Sequence, residues 1–413
     1  MAGPMAVTDR RLAQGTPAYR RLTLAMLFAG FSTFSLLYSV QPLLPLFATD
    51  YGLSAEAASL AVSLATGPLA IGILFAGILS DRVGRRPLMV AAMFAAGALT
   101  LAAALVPGWP MLLALRLLTG VALAGVPAVA MAYVSEEVDT ASVGAAMGLY
   151  IAGSAIGGMG GRLVASLVAD LAGWHWALGS VGLAGLAMAE AFRRLAPPSR
   201  GFVARTGGSP LAGAAALFRD RALPLLYAES FLLMGVFVTI YNYAGFRLLA
   251  PPYSLSQAAV GLVFLLYILG SASSALFGGF AGRVGRRRVF WLPIALLIAG
   301  VAATEARSLA LVILGIALVT VGFFGAHSIA SAWVGRRALG NRGQGAAFYL
   351  FFYYLGSSLL GSAGGVAWTH AGWPGVVLFC LALGALALLL GLRLARIPPL
   401  PLPESRDPAP VEP

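Results

Sequence analysis

A chain of 413 residues that is 60% hydrophobic and only 10% charged lacks the polar surface of a water-soluble globule, since soluble domains carry roughly 25% charged residues. Its net charge of +12 rests on 27 basic residues, all arginine and gathered in short loops between apolar runs, which excludes a nucleic-acid-binding stripe. The single cysteine, Cys380, excludes an internal disulfide framework.

A bilayer core takes about 20 apolar residues per helix, and that ruler divides the chain as follows. The tail 1–21 holds Arg10, Arg11, Arg20 and Arg21. The run after it is too long for a secretory signal and lacks a small-residue cleavage site, so it reads as a retained span. Six spans, at about 22–46, 58–80, 87–107, 110–134, 143–168 and 174–192, form a predicted N-terminal bundle over 22–193. Residues 194–221, with Pro197, Pro198, Gly207, Gly208 and Pro210, read as a loop-like linker. Six more, at about 222–247, 257–281, 289–304, 309–334, 346–368 and 375–392, form a C-terminal bundle over 222–393. The proline-rich tail 394–413 is expected to be disordered.

An even number of spans puts both termini on one side. The terminal tails and the loops on their side hold 23 arginines; the opposite loops hold only Arg307, with Arg247 at a span edge. That asymmetry predicts cytoplasmic termini.

The two sets of six spans are related. Gly77-Ile78-Leu79-Ser80-Asp81-Arg82-Val83-Gly84-Arg85-Arg86, after span two, returns as Gly278-Gly279-Phe280-Ala281-Gly282-Arg283-Val284-Gly285-Arg286-Arg287 after span eight. Residues 150–157 followed by Gly173-Trp174 correspond to 349–356 followed by Gly372-Trp373. Repeated bundles of this kind are the mark of secondary transporters.

Ionisable groups inside a span are functional suspects, because each costs about 2.5–3.5 kcal/mol to insert. Glu229 is the one deep carboxylate, roughly 10 Å into span seven at 1.5 Å per residue, and a candidate proton carrier. His327 in span ten reaches a similar depth, so the two are expected to share or relay a proton. Arg116 and Arg162 fall on the other side of the midplane. They suit either an anionic solute group or backbone carbonyls. Gln41 and Asn242 are equivalent under the repeat, and with Tyr38, Tyr241, Tyr353 and Tyr354 they offer hydrogen bonds and aromatic contact to an amphipathic solute. The glycine runs lie mid-span, without the lysine of a phosphate-binding loop.

At these residues the chain resembles the major facilitator superfamily. The loop 77–86 is similar to its signature between spans two and three, and Arg116-Leu117-Leu118-Thr119-Gly120 to its second motif. Gly153-Ser154-Ala155-Ile156-Gly157-Gly158-Met159-Gly160-Gly161 resembles the glycine-rich motif of the drug–proton antiporter branch. It departs from that motif at Gly158, where the branch carries proline, and at Arg162, where it carries glycine. Leu37-Tyr38-Ser39-Val40-Gln41-Pro42, Gly322-Phe323-Phe324-Gly325-Ala326-His327-Ser328 and Tyr353-Tyr354-Leu355-Gly356-Ser357-Ser358 extend the likeness, over nearly the whole chain, to bacterial inner-membrane carriers of that superfamily.

The resemblance implies an all-α, twelve-span fold of two pseudo-symmetric six-helix bundles that line a cavity between them. It implies proton-driven transport of loosely defined substrates, with Arg116 responding to protonation. It also implies that Asp81 faces the N-terminus of span eleven near Ala346 and gates the cytoplasmic side. Arg82, Arg85 and Arg86 are expected to pair there with Glu136 and Glu137. The expectation is a monomeric secondary transporter in the bacterial inner membrane, exporting a small organic solute in exchange for protons. It needs no cofactor or metal and binds no nucleic acid. An anionic-metabolite carrier is the alternative within transport, and a membrane sensor or enzyme the alternative outside it.

Overall fold

The computed structural model describes residues 11–199 and 210–398. The middle of the expected linker, the first ten residues and the tail beyond 398 lie outside the described residues.

Span one, Pro17–Tyr51, starts where Thr16 accepts a hydrogen bond from the Tyr19 N–H at 3.2 Å, with proline in the first turn. Pro42 has no N–H to continue the ladder, and the helix tightens there into a 3-10 turn, Gln41–Leu43. Span two, Ala55–Val83, is capped by Ser54. Spans three to six follow as Arg85–Ala103, Trp109–Glu137, Val143–Ala172 and Trp174–Leu195. A helix at Pro210–Arg219 stands where the sequence reading expected only loop. Its alanine-rich run behind a first-turn proline is a good short helix former. Spans seven to ten are Leu223–Leu249, Gln257–Val284, Trp291–Ala303 and Leu309–Arg337.

The last helix, Arg342–Ala395, runs 54 residues but breaks at Ala371 and Gly372. At 1.5 Å per residue it measures roughly 80 Å, far more than a bilayer core of about 30 Å. It therefore crosses twice, as spans eleven and twelve. Among the described residues, nine helices are long and apolar enough to cross. Counting that one twice, and adding Trp174–Leu195 and Trp291–Ala303, gives the twelve crossings expected.

The repeat is visible in the backbone. Gly84 and Gly285, at the same place in the two copies of the arginine loop, have φ of 91° and 104°. Gly173 and Gly372 have φ of 86° and 59°. Each turns the chain sharply between two helices in a conformation that disfavours any side chain.

Helix pairs approach closely through glycine. A Cβ at Gly157 in span five would fall on the Phe31 carbonyl of span one, and one at Gly356 in span eleven on the Phe231 carbonyl of span seven. In lipid, apolar surface gives helices little reason to associate, so backbone proximity of this kind supplies the packing.

The two six-helix bundles meet over part of their depth. Tyr38 and Ser357 touch at mid-span, oxygen to oxygen 3.4 Å. Ser358 donates to the Ser63 carbonyl at 2.9 Å, and Ser63 and Ser362 hydroxyls lie 2.6 Å apart. Gly365 packs on Glu56 and Gly245 on Pro45. These contacts run from the middle of the bundle to the end away from the arginine loops. At the arginine-rich end, the hydrogen bonds and ion pairs described join residues of one half.

Candidate functional site

The break at Pro42 presents Gln41 between the two halves. Gln41 Nε2 donates to Asn242 Oδ1 of span seven at 2.7 Å, while Arg162 Nε of span five donates to Gln41 Oε1 at 2.7 Å. Arg162 Nη1 donates back along its own helix to the Gly158 carbonyl at 2.5 Å. A Cβ at position 158 would sit 3.3 Å from that nitrogen, so the departure at Gly158 makes room for the departure at Arg162. The guanidinium lies 4.5, 5.1 and 5.3 Å from the rings of Tyr38, Tyr267 and Phe264. Guanidinium over ring faces at such distances is a favourable cation–π arrangement. Asn242 Nδ2 is buried without a partner.

Aromatic side chains continue the layer. Tyr241 stacks on Phe264 at 5.4 Å and bonds Thr320 at 2.8 Å. Phe237 stacks on Phe323 at 4.0 Å. Phe323 stacks on His327 at 5.8 Å, and His327 lies 5.0 Å from Tyr353, which in turn meets Tyr354 at 5.0 Å. All seven expected cavity residues, Tyr38, Gln41, Arg162, Tyr241, Asn242, Tyr353 and Tyr354, are thus within one connected layer.

The proton-coupling candidates are not brought together. Glu229 is fully buried and neither carboxylate oxygen has a hydrogen-bond partner. It points at Gly391 of span twelve, beside Phe290 and Ile294, so it faces away from the layer. His327 instead bonds Tyr349, Nδ1 to hydroxyl 3.0 Å. Tyr349 in turn accepts, at its carbonyl, a 3.0 Å bond from Ser230, the neighbour of Glu229. The expected direct pair is therefore replaced by an arrangement with Tyr349 in between. Arg116 donates from all three guanidinium nitrogens to backbone carbonyls: Ala61 at 2.9 Å, Leu36 at 3.0 Å and Leu37 at 2.5 Å. Leu36 and Leu37 lie just before the break at Pro42. Of the two alternatives for Arg116, this is the carbonyl one.

At the arginine-rich end, Arg85 pairs with Glu136 at 2.9 Å and with Asp81 at 2.7 Å, and it also bonds Ser80. Asp81 is therefore engaged within its own loop and not with span eleven, whose helix begins at Arg342. Arg86 donates to the carbonyls of Ala196 and Arg193 at 2.8 and 2.6 Å. A cation there complements the C-terminal end of span six, in place of the expected acid partner. Arg82 is exposed, and Glu137 is buried with its carbonyl bonded by the Leu12 N–H at 2.7 Å. In the second half Arg337 clamps Asp220, Nε to Oδ1 2.9 Å and Nη2 to Oδ2 2.7 Å.

Sequence reasoning passed over Phe264, Tyr267, Tyr349 and the Asp220–Arg337 pair. Tyr349 was signalled by the repeat, as the counterpart of Tyr150. Asp220 was signalled by its place just before a proline-led helix. Phe264 and Tyr267 carry no signal in one sequence beyond aromatic character. Among the described residues no group of His, Cys, Asp and Glu is placed to hold a metal.

The pattern that defines the Major Facilitator Superfamily matches residues 23–255 and 232–413. The chain belongs to the major facilitator superfamily. The inner membrane transport protein YnfM of Escherichia coli (strain K12) is 44% identical over 387 residues, covering 93% of this chain and 93% of its own. The MFS-type transporter YybF of Bacillus subtilis (strain 168) is 44% identical over 387 residues, 93% of this chain and 96% of its own. Among solved structures the nucleoside transporter NupG superposes with a TM-score of 0.74 at 17% identity, covering 90% of this chain and 99% of its own; that likeness shows the fold. As a major facilitator protein the chain is a multi-pass membrane transporter and not an enzyme.

Proposed function

We propose that this major facilitator protein exports a small organic solute from the cytoplasm in exchange for protons, by alternating access. The observation that carries the alternating-access part of this reading is where the halves touch. They are joined from the central layer to the end away from the arginine loops, while the bonds given above for described residues at the arginine-rich end lie within each half. With the arginines in the cytoplasm, as the positive-inside asymmetry favours, that is a carrier closed to the outside with its cytoplasmic entrance free to open. The solute would lie in the layer of Tyr38, Gln41, Arg162, Tyr241, Asn242, Tyr353 and Tyr354.

The proton would be carried apart from the solute. Glu229 is a buried carboxyl with no partner, and burying its charge is costly, so the group suits a site that is loaded in one state and emptied in another. His327 and Tyr349 stand between it and the aromatic layer, and Arg116 ties spans one, two and four together as the N-terminal half moves. Asp81 would engage span eleven only when the cytoplasmic side closes. Exchange of Asp81 between Arg85 and that helix end is then the gating step, with Arg82, Arg86, Glu136 and Glu137 around it. The glycine motif shared in part with drug–proton antiporters favours export.

The test uses inside-out vesicles with an acid lumen and a panel of neutral, cationic and anionic solutes. Wild type should accumulate at least one solute and release lumenal protons as it does so, and Glu229→Gln should abolish the proton release. Solute-dependent proton release that persists in full in Glu229→Gln would remove Glu229 from the mechanism.

A further inference from the structure

Around Gln41, two donors lie on opposite sides: Arg162 lacks a charged acceptor, and Asn242 Nδ2 lacks any. Arg162 is 3% exposed, and its partners are the Gln41 amide, the Gly158 carbonyl and three aromatic rings. Glu229, the one carboxylate deep in the spans, is directed at span twelve. The guanidinium is therefore held by dipoles and ring faces, without a counter-charge, in a site where charge is poorly screened. An independent feature marks the same place. Asn242 Nδ2, fully buried, has no acceptor, although Gln41 occupies the other end of its amide.

A carboxylate offers two oxygens with about four lone-pair sites, and it binds guanidinium bidentately. Its two oxygens and carbon have nearly the shape of the Gln41 amide end. In the place of that amide, with the Asn242 amide turned over so that Nδ2 stands where Oδ1 stands now, it would accept from Arg162 and from Asn242 together, whereas the Gln41 nitrogen can only donate. The rings of Tyr38, Phe264 and Tyr267 pack on the Arg162 guanidinium and Tyr241 packs on Phe264, so the body of a displacing carboxylate would meet ring faces.

We propose that the solute of the central layer is an aromatic carboxylate, and that its carboxylate displaces Gln41 from Arg162 and so loosens the closed outer side. Gln41 belongs to the first half and Asn242 to the second. Their bond, the 2.7 Å bond from Gln257 Nε2 to the Pro42 carbonyl and the 3.4 Å contact of Tyr38 with Ser357 tie span one to the partner half near this level. Displacing Gln41 removes one of the three. This inference rests on the transport reading above and adds the charge class of the cargo and its link to the gate.

The experiment uses the full chain in lipid nanodiscs, with Cys380→Ala and spin labels at Thr49→Cys and Ser308→Cys, exposed positions at the outer ends of the two halves. The probes are benzoate, 2-naphthoate and indole-3-acetate, each beside its amide and its amine. At least one carboxylate should raise the unfolding temperature and lengthen the label-to-label distance, while its amide and amine do neither. Arg162→Gln should weaken the carboxylate by at least about tenfold, the factor for losing one charge-assisted bond; Arg162→Lys should restore part of it. Gln41→Ala should lengthen the distance without any ligand. The proposal is overturned if amides or amines act as strongly, if the response survives in Arg162→Gln, or if no carboxylate acts. Solute-driven proton release with a cation or neutral solute alone would defeat this inference and leave the transport reading standing; absence of proton release with every solute would defeat proton coupling itself.

Discussion

Gly157→Ala and Gly356→Ala should destabilise the protein by similar amounts, because each adds a methyl group at the same point of the repeat. The added carbon at 157 would lie 2.7 Å from the Phe31 carbonyl carbon, and at 356 it would lie 2.9 Å from the Phe231 carbonyl carbon, whereas ordinary contact begins at 3.4 Å. The two carbonyl oxygens lie closer still, so the helices must part by roughly 1 Å to relieve this, since backbone cannot rotate aside as a side chain can; overpacking of this kind costs about 2–3 kcal/mol. Alanine returns roughly 1 kcal/mol through helix propensity, leaving about 1–2 kcal/mol. For a unit the size of one six-helix half that is about 2–8 °C in unfolding temperature. Thermal unfolding in detergent measures it, with Gly148→Ala as control: the same span, but nothing within 4 Å of the added carbon. The double variant should be additive within about 0.5 kcal/mol, the sites being in different halves. Wild-type unfolding temperatures in either alanine variant, or an equal loss in Gly148→Ala, would show that close helix approach does not set the packing of the halves.

Asp220→Asn should lower the unfolding temperature at pH 7, by the loss of about 1.5–3 kcal/mol of charge-assisted bonding. Burial opposes the charge on Asp220, but Arg337 and the Ala222 and Leu223 N–H groups outweigh it and hold the carboxyl below its usual value. A depressed folded-state value means stability that is complete above about pH 4, the unfolded value, and is lost as pH falls through the folded one. Wild type should therefore lose more on acidification from pH 5 to pH 3 than Asp220→Asn does, and equal losses would contradict this. Arg116→Gln leaves three buried carbonyls short of a donor and should cost about 3 kcal/mol or more, read as a lower unfolding temperature. Solute affinity per folded molecule should be unchanged, unlike Arg162→Gln.

Much of this was legible in sequence, and particular residues show why. A span is a matter of composition over about 20 residues, so twelve crossings could be counted from apolar runs. The offset between the two arginine loops located Asn242 as the partner position of Gln41, and the structure joins that pair directly. Pairing between ionisable groups was less legible. Depth along a helix comes from counting residues, but facing depends on rotation about its axis, and Glu229 turns toward span twelve while His327 turns to Tyr349. Carbonyl partners were also hard to name. Arg116 takes three of them and Arg86 two, and a carbonyl has no residue identity to read. Asp81 was read as facing the N-terminus of span eleven, whereas the structure shows it with Arg85.

The two halves repeat their backbone without repeating their charges. Gly84 and Gly285 turn the chain in the same way at equivalent places, yet Asp81 becomes Gly282 and Glu136 is matched by Arg337 under the 201-residue offset. In the first half the loop arginine Arg85 is the bridge, tying Asp81 at the end of span two to Glu136 at the end of span four. In the second half the arginine sits on span ten and reaches back to Asp220, which also caps the start of span seven through the Ala222 and Leu223 N–H groups at 2.8 Å each. Both devices fasten helix ends within one half, but through different helices. A carrier whose halves move as units needs each fastened internally, while only one side of the interface needs a carboxylate free to change partner. Asp81 is 33% exposed at its side chain, and under the function proposed above it is the carboxylate that would change partner. Asp220, with two N–H donors and a bidentate arginine, would not. Removing Asp81 should therefore change how often the arginine-rich end opens, and removing Asp220 should change how well the second half holds together.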